Sequence, residues 1–143
     1  MTARPRVLFL CTHNAARSQM AEALLRRHGG DRFEVVSAGL EPTQVHPLTH
    51  EVLAEIGVDT TGLRAKGLKE FFGRTSVHYA IVVCAEGEES CPRLYPFANR
   101  TLFWPIEDPA PDEGSTQSPV ERFRSTRDQI DGRIRAWLEE PSA

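Results

Sequence analysis

The sequence predicts an α/β fold in which a four-stranded parallel sheet is flanked by helices on both faces, within a single domain spanning residues 1–143. Apolar runs of strand length alternate along the chain with amphipathic segments, an order typical of parallel sheets with right-handed crossovers. A length of 143 residues with 40% hydrophobic residues is that of one ordinary globular domain. Small or polar residues follow the apolar runs, where such sheets bind their ligands.

The first predicted strand, residues 7–10, is apolar throughout, as expected when both faces of a strand are covered. A short loop of small and polar residues follows. From Ser18 the apolar residues recur at helical spacing, and Gly29 and Gly30 end that helix near His28. Residues 33–37 then read as a second strand.

The second half of the chain continues the alternation. A helix is expected to begin at Pro47 and end at Gly57, and residues 64–73 predict a short helix or ordered loop with Leu68, Phe71 and Phe72 buried. Residues 77–83 and 100–104 are the third and fourth predicted strands. The last helix begins at a capping box formed by residues 118–121, with proline at the first helical position.

Composition excludes several functions. The formal net charge is −3, so there is no basic surface that would indicate nucleic-acid binding. No apolar run has membrane-spanning length and no signal peptide is evident, which predicts a cytoplasmic protein. Three cysteines are an odd number for a disulfide framework, so reactive thiols explain them better. Nothing in the sequence demands more than a monomer.

The loop after the first strand carries the strongest chemical signal. Cys11 opens it and Arg17 closes it, followed at once by Ser18 and the helix. Backbone N–H groups at a helix N-terminus converge on one positive point, which favours a bound oxyanion and the thiolate form of the cysteine. The guanidinium is a planar fork that matches two oxygens of a tetrahedral anion. The predicted oxyanion-binding residues are Thr12, His13, Asn14, Ala15, Ala16, Arg17 and Ser18.

Two further cysteines and an aspartate are predicted at the same edge of the sheet. Cys84 follows the third strand, Cys91 comes seven residues later, and Asp108 lies in a proline-rich loop after the fourth strand. A carboxylic acid there could protonate a departing oxygen, and a flexible spacer could bring the two cysteines to disulfide distance. The alternatives are a turn aspartate, a buried thiol beside a surface thiol, or a zinc site with too few ligands.

These residues resemble the thioredoxin-coupled arsenate reductases, relatives of the low-molecular-weight protein tyrosine phosphatases. The resemblance covers nearly the whole chain and rests on the segments 11–23, 37–39, 84–92 and 104–110. Gln19 before Met20, where the phosphatases usually have proline, and the Cys84–Cys91 spacing favour the reductase branch. Asp108-Pro109 also lacks the aromatic neighbours that would hold phosphotyrosine.

The resemblance implies a mechanism without metal or organic cofactor. The loop and Arg17 bind arsenate, and Cys11 attacks arsenic while Asp108 protonates the leaving oxygen. Cys84 then attacks the Cys11 sulfur and releases arsenite, and Cys91 resolves that disulfide. The resulting Cys84–Cys91 disulfide is reduced by thioredoxin, and weak phosphatase activity is expected beside the reduction.

The resemblance also points to a cation site found in some members. Asn14, Glu22 and Ser37 match three of its ligands, but Gly67 replaces an acidic fourth, beside Lys66. The interpretation is a vestigial site in which the lysine ammonium stands in for the cation. Most of the basic residues around it, Arg64, Lys66, Lys69 and Arg74, are expected on a solvated face.

Two other functions remain open from the sequence. In a phosphatase, Cys84 and Cys91 would only protect Cys11 from oxidation; arsenate and phosphate are nearly isosteric, so the loop cannot separate them by shape. In an oxyanion or redox sensor, the thiol would react without turnover and signal to a partner. Neither a regulatory domain nor a DNA-binding pattern supports the sensor.

Overall fold

The computed structural model describes residues 4–71, 76–88, 91, 95–110 and 117–140. The strands are β1 (Arg6–Cys11), β2 (Glu34–Gly39), β3 (Val77–Val82) and β4 (Ala98–Phe103). The helices are α1 (Arg17–Gly29), α2 (Pro47–Ala54) and α3 (Pro119–Glu139), with one 3₁₀ turn at Leu68–Glu70. The predicted α/β fold with a four-stranded parallel sheet and flanking helices is confirmed.

All strand pairs are parallel, in the order β2-β1-β3-β4. The chain therefore moves from β1 to β2 on one side and later returns past β1 to place β3 on the other side. The carboxyl ends of β1 and β3 form the point at which the strand order reverses, the usual ligand-binding position in open parallel sheets. Cys11 ends β1, and Cys84 follows β3 by two residues.

The core lies on both faces of β1. Val7 and Phe9 point to one face, Leu8 and Leu10 to the other, and all four are completely buried. On the first face Trp137 of α3 packs against Phe33 and Tyr79, with ring centroids 5.2 and 5.1 Å apart. The prediction that the apolar run 7–10 forms a strand covered on both faces is therefore confirmed.

The predicted helices are confirmed, and their ends lie within a few residues of the predicted positions. Ser118 caps α3 by accepting a hydrogen bond from the backbone N–H of Glu121 at 3.3 Å. Helix α2 ends at Ala54 rather than at Gly57. Gly57 still closes the end of the helix, because it adopts a left-handed φ of +79° and its N–H and that of Val58 donate to the last carbonyls.

One burial prediction around the 3₁₀ turn was wrong. Phe71 is half-buried rather than buried, although Leu68 is buried as expected. Among the basic residues expected mostly on a solvated face, Arg64 and Lys69 are exposed, whereas Lys66 is 8% exposed because its ammonium reaches inward to a carboxylate. Phe72 and Arg74 lie outside the described residues.

Candidate active site

The Cys11 loop, residues 11–17, is held by its carbonyl groups. Every carbonyl from residue 12 to residue 16 accepts a hydrogen bond from outside the loop, and the donors are the N–H groups of Glu41, Thr43, His46 and Met20 and the side chains of Gln19 and Thr49. All peptide bonds in the described residues are trans, so each N–H points opposite to the carbonyl before it. The N–H groups of residues 13–17 therefore face away from these donors, into the loop.

Asn14 is the centre of the loop. It is completely buried with a left-handed φ of 53°, a conformation that asparagine tolerates better than most residues. Its amide nitrogen donates to Ser18 at 2.7 Å and to Ser37 at 2.9 Å. Its oxygen accepts from the Lys66 backbone and the Gln19 side chain, both at 2.8 Å. With every polar atom of the side chain paired, the turn of the loop has one preferred shape.

Ser18 connects Asn14 to the sulfur of Cys11. The Ser18 oxygen lies 2.8 Å from the Cys11 Sγ, and both side chains are buried. Because Asn14 donates to the Ser18 oxygen, the serine hydrogen is available to the sulfur. A donor in this position stabilises a thiolate, which is the nucleophilic form of cysteine.

Gly39 allows the Cys11 loop to lie against the end of β2. A Cβ at this position would lie 2.7 Å from the Thr12 carbonyl oxygen and 2.8 Å from the Asn14 nitrogen. Backbone atoms cannot yield as a flexible side chain can, so only glycine fits here.

The three residues of the suggested cation site form one network behind the loop. Ser37 accepts from Asn14 and donates to Glu22 at 2.6 Å. The other Glu22 oxygen pairs with Arg26 at 2.7 Å, and the Lys66 ammonium lies 3.4 Å from Glu22. Burial lowers the pKa of Lys66, and the charge of Glu22 opposes that shift. The Lys66 ammonium therefore already contacts the buried Glu22 carboxylate, where a bound cation would lie.

Arg17 lies at the start of α1 with its guanidinium buried against the Cys11 loop. Its two terminal nitrogens bind the carboxylate of Glu88 at 2.7 and 3.0 Å, and Nη1 also donates to the Ile106 carbonyl at 3.0 Å. Burial by itself would lower the pKa of Arg17, but the hydrogen bond to Glu88 and the charges of Cys11 and Asp108 outweigh it and raise that pKa. Arg17 is a permanent cation at the site.

Asp108 lies on the opposite wall, in the loop after β4. One of its oxygens accepts from the Ala110 backbone at 3.0 Å, and the other is 3.8 Å from Arg17. The Ile106 N–H donates to the Cys84 carbonyl, which holds this loop beside the end of β3. Asp108 thus lies at the edge of the sheet that the sequence predicted, with about a third of its side chain exposed.

Cys84 and Cys91 are joined in a disulfide, while Cys11 is a free, buried thiol. Cys84 is completely buried and Cys91 is 8% exposed. Strands β1 and β3 are neighbours about 4.8 Å apart. Cys84, which follows β3, therefore lies close to the end of β1, where Cys11 stands. Because Cys84 and Cys91 are bonded to each other, neither is a free thiolate for the zinc alternative in this state. Among the described residues no group of three or more His, Cys, Asp or Glu side chains could hold a metal ion.

A pocket of about 180 Å³ opens above Cys11 and Arg17. Among the described residues its walls are Cys11, His13, Ala15, Ala16, Arg17, Thr43, His46, Asp108 and Ala110. None of these is Phe, Tyr or Trp, and the rings among the described walls are the imidazoles of His13 and His46. His13 is exposed at the rim, with Nδ1 3.1 Å from the Glu41 carbonyl oxygen.

The site has a buried cysteine at a strand end, a helix start and an arginine fork, and this arrangement can be compared with known proteins. Residues 6–142 match the family model of the low molecular weight phosphotyrosine protein phosphatases. The chain belongs to this family. No helix within the described part of the chain is long and apolar enough to cross a membrane.

Within the family the similar proteins include arsenate reductases. The arsenate reductase of Bacillus licheniformis is 32% identical over 136 residues, covering 93% of this chain and 94% of its own. The structure of an arsenate reductase in the phosphate-binding state has 30% identity and a TM-score of 0.76, over 94% of this chain and 96% of that one. The thioredoxin-dependent arsenate reductase of Corynebacterium glutamicum has 35% identity and a TM-score of 0.70, over 96% of this chain and 62% of that one.

Three residues of the site were not assigned a role from the sequence. Gly39 lies in the segment 37–39 that carries part of the resemblance, but only the distance to the Cys11 loop explains why it is glycine. Glu88 was one of several acidic residues between Cys84 and Cys91, with no signal that distinguished it from Glu86. Gln19 was noted only because the phosphatases have proline there; it binds Asn14 and the Arg64 carbonyl.

Proposed function

We propose that this protein is an arsenate reductase that converts arsenate to arsenite with electrons from its own cysteines. The observation that carries the proposal is the Cys84–Cys91 disulfide beside a free Cys11 in an oxyanion loop. A phosphatase needs only the loop, the arginine and an acid. Two additional thiols that close a disulfide at the same sheet edge supply the two electrons that reduction of arsenic requires.

The first step is addition of sulfur to arsenic. The inward N–H groups of the Cys11 loop and the Arg17 fork bind arsenate, and the Cys11 thiolate forms a bond to arsenic. An oxygen departs as water after taking a proton from Asp108, which lies within 3.8 Å of Arg17. Ser18 lies on the sulfur and stabilises its charge before the attack.

The second step transfers the electrons. The Cys84 thiolate attacks the Cys11 sulfur, a sulfur–sulfur bond forms, and the pair from the breaking sulfur–arsenic bond stays on arsenic, which leaves as arsenite. Cys91 then attacks Cys84 and frees Cys11, which yields the Cys84–Cys91 disulfide. The described structure corresponds to this last state of the enzyme.

A dithiol must reopen that disulfide, and we assign this role to thioredoxin acting on a monomeric enzyme in the cytoplasm. Cys91 is the more exposed of the two residues, at 8% against 0%, so we expect a partner to reach it first. The C. glutamicum relative is thioredoxin-dependent by its description, which supports the same coupling here.

The test is arsenite release with thioredoxin, its reductase and each single Cys→Ser variant. Cys84→Ser is expected to lose multiple turnover while Cys11 still forms its arsenic adduct, because Cys84 is the thiol that attacks the Cys11 sulfur and releases arsenite. The adduct is read by mass spectrometry and the turnover by consumption of the nicotinamide cofactor of the reductase. Normal turnover of Cys84→Ser would contradict the relay.

The phosphatase alternative has its own outcome in the same assay. A kcat/KM on phosphotyrosine far above that on arsenate, with Cys84→Ser and Cys91→Ser as active as the native protein, would assign the chain to that function. The described pocket walls carry no Phe, Tyr or Trp side chain, which supports a small oxyanion rather than phosphotyrosine as the substrate.

A further inference from the structure

The side chain of Glu88 joins the Cys11 loop to the segment between Cys84 and Cys91, and no step of the proposed reaction uses it. Its two oxygens bind the terminal nitrogens of Arg17 at 2.7 and 3.0 Å. The Thr12 hydroxyl donates to one oxygen and the Ala85 N–H donates to the other at 3.1 Å. Glu88 is thus an internal carboxylate ligand on the residue expected to hold the substrate.

Glu88 lies within the ring that the Cys84–Cys91 disulfide closes. Its backbone N–H donates to the Ala85 carbonyl at 3.3 Å, and its carbonyl accepts from the Cys91 N–H at 3.4 Å. Both bonds lie inside the ring that the Cys84–Cys91 bond closes. They are long hydrogen bonds, so the covalent closure does most of the ordering of this segment. Opening the ring returns conformational freedom to Glu88 and weakens its hold on Arg17.

Glu88 changes the charge that an oxyanion would meet. The Arg17 guanidinium is 3% exposed, so its charge is poorly screened by water and one carboxylate largely cancels it. Asp108 is a second carboxylate 3.8 Å from the same guanidinium. Glu88 does not line the pocket above Cys11. Because Glu88 occupies both terminal nitrogens of Arg17, it competes with a bound oxyanion for these donors and for the charge of Arg17. Because it does not line the pocket, it leaves the mouth of the pocket open.

We propose that Glu88 is a redox-coupled internal ligand of Arg17 that weakens oxyanion binding while Cys84 and Cys91 are joined. The inference rests on the proposed function for its use, since it keeps the oxidised enzyme from engaging substrate that it cannot reduce. A dithiol breaks the Cys84–Cys91 bond, gives two electrons and two protons to form two thiols, and itself becomes a disulfide. Glu88 then leaves Arg17, and the fork is free for the oxyanion.

Coupling of this kind works in both directions. If the reduced protein binds an oxyanion more tightly than the oxidised protein, the oxyanion must stabilise the reduced state by the same factor. Phosphate is a suitable probe because it resembles arsenate and is not reduced. A tenfold affinity ratio corresponds to a rise of about 30 mV in the midpoint potential of the disulfide at saturating phosphate.

The experiment measures phosphate dissociation constants by calorimetry for the oxidised and the dithiothreitol-reduced protein. The variants are Glu88→Gln and, as a matched control, Glu86→Gln, which removes the same charge from an exposed position in the same ring. We expect the oxidised native protein to bind phosphate at least ten times more weakly than the reduced one. Glu88→Gln should bring that ratio to within threefold, and Glu86→Gln should keep it.

Three results would overturn the proposal: equal phosphate affinity in both states of the native protein, an unchanged ratio in Glu88→Gln, or loss of phosphate binding in both states of Glu88→Gln. The last result would mean that Glu88 only holds Arg17 in its working position. Titration of the disulfide against dithiothreitol, with and without phosphate, checks the same coupling through the potential. Neither measurement uses arsenate turnover, so a failed reductase assay leaves them interpretable.

Discussion

The Cys11 loop and the segment from Cys84 to Cys91 lie side by side at one sheet edge, yet they are held in different ways. The loop has every carbonyl from residue 12 to residue 16 bonded and the Asn14 side chain fully paired. The described residues of the Cys84–Cys91 segment are held by the disulfide, by the Glu88 carboxylate, by the hydrogen bond from the Ile106 N–H to the Cys84 carbonyl and by two long backbone hydrogen bonds within the segment. The Cys11 loop is therefore fixed by its own network of hydrogen bonds, whereas the Cys84–Cys91 segment depends on fewer contacts, which can be remade.

The largest effect is expected where the two regions meet, at Arg17. Arg17→Lys replaces a planar fork by a single ammonium, so two charge-assisted contacts cannot be made together. The loss of about 3 kcal/mol, or roughly 100-fold, should appear in kcat/KM for arsenate and in phosphate affinity of the reduced protein. Arg135→Lys on the exposed face of α3 is the control and should leave both values unchanged. Equal values for Arg17→Lys and the native protein would remove Arg17 from the site.

A smaller effect tests whether the loop is as rigid as its bonds indicate. Gly39→Ala places a Cβ against the backbone of Thr12 and Asn14, at 2.7 and 2.8 Å. Overpacking of this kind costs about 1–3 kcal/mol in the free energy of unfolding, and phosphate affinity should fall with it. Gly62→Ala is the matched control, because a Cβ there meets no atom within 4 Å and its φ is not left-handed. If urea unfolding gave the same midpoint for both variants, the loop could yield.

The smallest expected effect is the pH dependence of the contact between Glu88 of the Cys84–Cys91 segment and Arg17 of the Cys11 loop. Burial would raise the pKa of Glu88, but the hydrogen bonds from Arg17 and Thr12 outweigh it and lower that pKa from 4.5 to about 2. A lowered carboxyl pKa means that the Glu88 contribution is complete above pH 4.5 and is lost as the pH falls from 4.5 towards about 2. The stability difference between the oxidised native protein and Glu88→Gln should therefore be constant between about pH 7 and 5.5 and shrink below pH 4.5. If the difference in stability were already lost while the pH was still above about 5, Glu88 would not be paired with Arg17.

Much of the fold was predictable because it depends on local patterns. The run of residues 7–10 predicted a strand buried on both faces, and the capping box at Ser118 predicted the start of α3. The candidate site was predictable for a related reason: the carboxyl ends of parallel strands meet at one edge, so Cys11, Cys84 and Asp108 had to come together once the strand order was parallel. Their catalytic roles remain predictions.

What sequence patterns could not predict are contacts between residues far apart in the chain. Only the family resemblance suggested that Lys66 stands in for a cation, and the contact itself joins Lys66 to Glu22, 44 positions earlier. Gly39 has no sequence signal of its own, since its need for a missing Cβ arises only when the Cys11 loop comes close. Glu88 and Glu86 look alike in the sequence, and only the Arg17 guanidinium, 71 positions away, separates them.

The sequence by itself determined the order of strands and helices, the nucleophile and its arginine, and the number of thiols available. These follow from hydrophobic periodicity and from residue chemistry at short spacing. Only the tertiary structure decided which carboxylate binds Arg17, which cation meets Glu22 and which backbone atoms exclude a side chain at Gly39. Such choices depend on distances of about 3 Å between separate elements, and these are set by packing of the whole sheet and its loops.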